Sequence, residues 1–133
     1  MLILNILDCS AQGQHGLAIE HLTGDYYIYT TWQPVRGIPF PANGMYIVTE
    51  KGVVIIDSPW DTAQALPLLD SIEVRHHKKA IACIATHFHD DKTGAFGIFE
   101  ARELKTYSSC QTLALCREKN EPQAQYCFVN NSF

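Results

Sequence analysis

Apolar and polar positions alternate along the first third of the chain and then change period. LAIEHL (17–22) and YYIYTTW (26–32) are rich in the β-branched and aromatic residues that suit a pleated surface. Thr23-Gly24-Asp25 between them predicts a hairpin with a three-residue loop. QPVRGIPFPANG (33–44), with three prolines and two glycines around Phe40, predicts a loop longer than a simple turn. GMYIVT (44–49) and VVIID (53–57) meet across Glu50-Lys51-Gly52 as a second hairpin. VVIID is apolar at successive positions, which predicts a strand covered on both faces.

After Asp57-Ser58-Pro59-Trp60 the period lengthens. Ala65, Leu66, Leu69 and Ile72 in DTAQALPLLDSIEVRHH (61–77) follow helical spacing, with Asp61 or Thr62 as the N-cap. Pro67 fits only in the first turn or at a kink. AIACIAT (80–86) predicts a buried strand, GAFGIFEAR (94–102) a short helix, LKTYSS (104–109) a strand and QTLALCREKN (111–120) a helix. Two hairpins followed by alternating strands and helices give an α/β (α+β) class. VVIID, the helix and AIACIAT form a right-handed parallel βαβ unit. Ligands of such sheets bind beyond the carboxyl ends of the strands, where Asp57 and His87 both fall.

That placement points to THFHDD (86–91). Polar groups left unpaired at the end of a buried strand are costly, and a metal ion would compensate them. If the chain stays extended there, His87, His89 and Asp91 of H-x-H-x-D project to one side. Two imidazoles and a carboxylate are ligand types of catalytic zinc. Thr93-Gly94 lets the backbone pass close to such a site. The plainer alternative is a set of hydrogen-bonded side chains at a strand end. His76 and His77 end a helix beside Arg75, Lys78 and Lys79, which predicts a solvated terminus where cations suit the dipole. His15 and His21 have no partner in sequence.

Composition narrows the partners. The 133 residues, 47% hydrophobic and 18% charged, suffice for one domain with a core. The net charge of −4 and the lack of a basic run argue against a nucleic-acid partner. No apolar run is long enough to span a membrane. Cys9, Cys83, Cys110, Cys116 and Cys127 are odd in number and show no CxxC pair, so neither a disulfide framework nor a structural zinc cluster is expected. MLILNIL before Cys9-Ser10-Ala11 has the apolar centre and small-residue end of a secretory signal, so residues 1–11 read as a signal remnant and the protein as periplasmic. Asp8 and the absence of a preceding Lys or Arg count against a signal, and the alternative is a disordered or edge-strand N-terminus.

THFHDDKTG, NGMYIVTEKGVVIIDSPWD and GDYYIYTTW together resemble the class B, or metallo-, β-lactamases of the αββα metallo-hydrolase superfamily. The resemblance runs from about Leu17 to Phe133. Many superfamily members carry a second metal-binding His directly after the Asp, where this chain has Lys92. The difference implies the two-zinc subclass that uses a later cysteine as a ligand. The resemblance implies that His87 and His89 bind one zinc, that Asp91 binds a second and orients the attacking hydroxide, and that Asp57 buttresses the metal loop. It also implies a mobile substrate flap around Trp32, Val35 and Phe40, a small-molecule β-lactam substrate and a monomer. In family members the third His, the Cys and His of the second metal and a substrate-binding Lys lie further along. The resemblance therefore implies that residues 1–133 form the N-terminal part of a single domain and are inactive alone. Two alternatives remain: a superfamily hydrolase of esters or thioesters, and a non-catalytic half-domain that binds metal weakly.

Overall fold

Among the described residues, seven strands lie in one sheet in the order in which the chain makes them. The computed structural model describes residues 16–129; the candidate signal in residues 1–11, Cys9 and His15 lie outside them. β1 (Ala18–Thr23), β2 (Tyr26–Val35), β3 (Ile38–Val48) and β4 (Val53–Ile56) pair antiparallel. β4, β5 (Ala80–Ile84), β6 (Lys105–Ser109) and β7 (Tyr126–Phe128) pair parallel. The crossovers carry α1 (Ala65–His76), α2 (Asp90–Thr93), α3 (Phe96–Ala101) and α4 (Cys110–Lys119). Because each parallel strand is added on the same side of the last, right-handed crossovers put these helices on one face of the sheet.

Local chemistry fixes the ends of α1. The Asp61 carboxylate accepts from the Ala63 amide at 2.9 Å, capping a single 3-10 turn (Thr62–Gln64) that leads into the helix. Pro67 lies in the first turn of α1, where its missing N–H costs nothing. His77 closes the helix in the left-handed region (φ 53°), donating to the Glu73 carbonyl at 2.9 Å.

The core lies between this helical layer and the sheet. Ala65, Leu68 and Ile72 of α1 and Phe96 and Phe99 of α3 meet Tyr29, Tyr46, Val53, Ile55 and Cys83. The expectation of strands covered on both faces holds for one face only. Val53 and Ile55 are fully buried, whereas Val54 and Ile56 are half-buried, as are Ile28, Met45, Ile47, Ala82 and Ile84 on the same side. The described residues thus form one helical layer and one sheet with an open apolar face.

Several expectations are corrected. The first hairpin turns on Gly24 and Asp25, with a register shift between His21 and Thr23, in place of a three-residue loop. The 33–44 segment is not a loop. β2 and β3 run in register to a two-residue turn at Arg36 (φ 52°) and Gly37 (φ 80°), the twist that tight hairpins prefer. Cys110 at the head of α4 is disulfide-bonded to Cys127 of β7, with Cα atoms 4.8 Å apart and a sequence separation of 17. Closing a loop of that size restricts the unfolded chain by roughly 3 kcal/mol. It ties down a strand of three exposed residues whose presence the sequence pattern did not signal. Cys83 and Cys116 are free and buried.

His76 is also corrected. It is half-buried, with Nε2 3.0 Å from the Tyr46 hydroxyl and its ring 4.7 Å from that of Tyr27. Burial, helped by nearby Arg75, holds its pKa below the usual histidine value, and burial pushes that of Tyr46 up to about 12.

Thr31 Oγ1 is the buried side-chain oxygen that lacks a hydrogen-bond partner among the described residues. Such a group costs about 1–3 kcal/mol. Thr31→Val, of nearly the same shape, is expected to raise the unfolding free energy by about 1 kcal/mol in urea titration; a loss of stability would contradict this account.

Candidate metal centre

β4 and β5 end side by side, and the chain beyond each builds the site. Asp57 follows β4 in the left-handed region (φ 63°), where it is almost fully buried. Its amide donates to the Ile84 carbonyl at 2.8 Å, and its carbonyl accepts from the Tyr29 hydroxyl. The Tyr29 ring reaches across Gly44, its partner on β3. A Cβ at Gly44 would stand 2.3 Å from that ring. Only glycine leaves this path open.

The Asp57 carboxylate reaches the metal loop. Oδ1 accepts from the Thr86 amide at 2.7 Å and Oδ2 from the Thr86 hydroxyl at 3.0 Å. Asp57 thus holds the start of the 86–89 bend. Thr86 Oγ1 is in turn 3.1 Å from His87 Nδ1. The segments are clasped again further along. The Ser58 amide donates to the Lys92 carbonyl at 2.8 Å, and the Ala95 amide to Ser58 Oγ at 3.0 Å. Gly94 permits this approach, since a Cβ there would meet the Asp90 carbonyl at 2.6 Å and that of Trp60 at 3.2 Å.

His87, His89 and Asp91 converge, with their candidate ligand atoms within 4.8 Å of one another. The route differs from strand alternation. β5 ends at Ile84, residues 86–89 bend, and Asp91 lies in α2, for which His89 is the N-cap residue. The imidazoles stand nearly perpendicular, with centroids 4.8 Å apart. This donor set fits zinc, which takes imidazole nitrogen and carboxylate oxygen together, better than magnesium or calcium, which take oxygen.

Lys92 enters the site rather than solvent. Its ammonium lies 3.1 Å from Asp91 Oδ2 and 4.0 Å from Asp57 Oδ2, and donates to the Asn43 carbonyl at 3.3 Å. Behind the loop, Cys116 Sγ is 3.9 Å from the Phe88 carbonyl.

Trp32, Val35 and Phe40, expected on a substrate flap, lie on the arm formed by the outer parts of β2 and β3. Gln64 grips its base, accepting from the Trp32 amide at 3.3 Å and donating to the Trp32 carbonyl at 3.0 Å. Because both Trp32 backbone groups point away from β3, the Trp32–Pro41 and Pro34–Pro39 pairs are non-hydrogen-bonded positions. The three prolines therefore remove no ladder bond. Phe40, 56% exposed, packs edge-on at 6.4 Å against Trp60, whose Nε1 donates to Asp90 Oδ2 at 3.0 Å. Val35 and Ile38 at the tip are exposed. Nothing in the sequence pattern singled out Gln64, Tyr29 or Gly44, because each acts through a contact distant along the chain.

Gln64→Ala is expected to speed amide hydrogen exchange at Trp32 and its arm neighbours several-fold, since each lost hydrogen bond is worth about 1 kcal/mol. Exchange in α1 should stay unchanged; an arm protected as before would show that Gln64 does not anchor it.

No protein-family model matches the chain. The chain is 42% identical over 133 residues, 98% of its length and 53% of the relative's, to a metallo-β-lactamase type 2 of Elizabethkingia meningoseptica. It is 38% identical over 103 residues, 77% of its length and 43% of the relative's, to metallo-β-lactamase IND-1 of Chryseobacterium indologenes. The fold matches the crystal structure of metallo-β-lactamase IND-7 with a TM-score of 0.80 and 32% identity, covering 87% of this chain and 54% of that one. The chain spans about half the length of the curated relatives it matches.

Proposed function

We propose that this chain, a member of the metallo-β-lactamase family, supplies roughly the N-terminal half of a zinc-dependent hydrolase that opens the amide bond of β-lactams. The observation that carries the proposal is the meeting of His87, His89 and Asp91 at the carboxyl end of a parallel strand. His87 and His89 hold one zinc, and Asp91 holds a second. When bound, zinc supplies a Lewis acid for the lactam carbonyl and a source of hydroxide at neutral pH. Asp91 accepts a hydrogen bond from the attacking water and fixes its direction. Lys92, in place of a further histidine, leaves the second metal to a cysteine from outside residues 1–133. Its ammonium also balances the charge that Asp57 and Asp91 bring together.

The arm carrying Trp32, Val35 and Phe40 covers the substrate. Its exposed apolar tip suits a ligand with an apolar face, and its position on a ribbon free of further strands lets it move. The protein acts as a monomer on a small molecule. We place it in the periplasm, where the Cys110–Cys127 disulfide would persist. No helix among the described residues is long and apolar enough to cross a membrane.

His87→Ala and Asp91→Ala, made in the protein at its natural length, are expected to abolish most β-lactam hydrolysis without loss of circular dichroism. Several kcal/mol of metal-borne stabilisation corresponds to a fall on the order of 1000-fold in kcat/KM. Near-normal turnover by the Asp91 variant would refute the two-metal assignment.

Residues 1–133 alone are expected to be inactive. They offer two ligands to the first zinc and one to the second, whereas catalytic zinc takes three protein ligands and water. The open sheet face adds to the problem, since every ~400 Å² of apolar surface left in water forfeits about 10 kcal/mol. That is on the scale of the ~5–15 kcal/mol stability of a whole domain. Penicillin or carbapenem turnover by the purified 133-residue chain, lost with a chelator and restored by zinc, would overturn this expectation.

A further inference from the structure

We propose that Thr86 is a positioning residue: its hydroxyl transmits the polarity of the Asp57 carboxylate to His87 and fixes which ring nitrogen carries the proton. The proposal rests on reading His87 as a metal ligand and adds to it how that ligand is prepared. The chain of contacts is short: Asp57 Oδ2 to Thr86 Oγ1 at 3.0 Å, and Thr86 Oγ1 to His87 Nδ1 at 3.1 Å.

The direction of these bonds follows from counting protons. A carboxylate only accepts, and a hydroxyl has one hydrogen to give. With Oδ1 taken by the Thr86 amide, Oδ2 receives the Thr86 hydroxyl proton. Thr86 Oγ1 then has only lone pairs left for His87, so Nδ1 carries the hydrogen and donates it. The free lone pair of the neutral ring is thereby placed on Nε2, the nitrogen available to a metal.

The same count predicts an inversion. In Asp57→Asn the Thr86 amide still requires an oxygen, so the side-chain carbonyl stays on it and the NH2 faces Thr86 Oγ1. That hydroxyl then accepts from Asn and donates to His87 Nδ1, which moves the ring hydrogen to Nε2. The substitution suits the backbone, because asparagine tolerates the left-handed conformation seen at this position (φ 63°).

The test uses the metal-free protein at its natural length, labelled with 15N-histidine, and long-range 1H–15N spectra at mildly alkaline pH. Expected is an Nδ1–H ring for His87 in the unsubstituted protein and in Thr86→Ser, a mixture in Thr86→Val, and an Nε2–H ring in Asp57→Asn. Zinc affinity, measured by competition with a chromophoric chelator, should fall roughly 10–100-fold in Thr86→Val and return in Thr86→Ser. Thr86 is exposed, so neither change at this position disturbs the core. An Nε2–H ring in the unsubstituted protein, no change of tautomer in both Thr86→Val and Asp57→Asn, or full zinc affinity in Thr86→Val would overturn the proposal. Because the spectra need neither metal nor substrate, they decide it even if the protein hydrolyses no β-lactam.

Discussion

The left-handed corner at Asp57 is the constraint on which the rest of the structure depends. One buried residue ends β4, ties it to β5 through its amide, receives the Tyr29 hydroxyl on its carbonyl and holds the metal loop with its carboxylate. Burying that carboxylate would be costly in isolation; here its oxygens have donors, and Lys92 stands 4.0 Å away. A residue with φ of 63° outside glycine is uncommon, and the bonds around Asp57 determine this conformation from several directions.

The packing follows from the same corner. Tyr29 can reach the Asp57 carbonyl only because position 44 has no side chain, so a vacancy on β3 serves a contact on β4. Burial and the nearby Asp57 charge raise the Tyr29 and Cys83 pKa values well above their usual ranges, keeping both neutral under the loop. The Ser58 and Gly94 contacts then draw the segment after β4 against the segment after β5. Two chain segments that leave adjacent strands are held at several points, which leaves the THFHDD bend little freedom to open without breaking the sheet's end.

What could be read in the sequence was whatever depends on near neighbours. Strand alternation, the Asp61 cap, Pro67 in a first turn and the strand-end position of H-x-H-x-D are all local, and all appear. The prolines of the arm misled because sequence does not display hydrogen-bond parity. Pro34, Pro39 and Pro41 break a strand only at positions that donate to a neighbour, and none of them occupies one. The disulfide was missed because Cys110 and Cys127 approach only after α4 has formed and β7 has joined the sheet. His76 has the sequence context of a solvated helix end, yet the aromatic faces of Tyr27 and Tyr46 come from strands some thirty or more residues away.

The open sheet face and the site are not separate regions. Ile28, Asn43, Gly44, Met45 and Ile56 line a cavity of about 290 Å³ together with Asp57 and Thr86. Apolar residues of the uncovered face therefore border the polar residues that support the metal loop. Covering that face would remove water from the Asp57–Thr86 bonds and strengthen them, since a hydrogen bond gains electrostatically as the local dielectric falls. A metal held by the His87–His89–Asp91 group would then be linked to the covering of that face, so the free energy of one would be partly that of the other. In this arrangement the Asp57 corner ties the apolar face of the sheet to the bend that carries His87, His89 and Asp91.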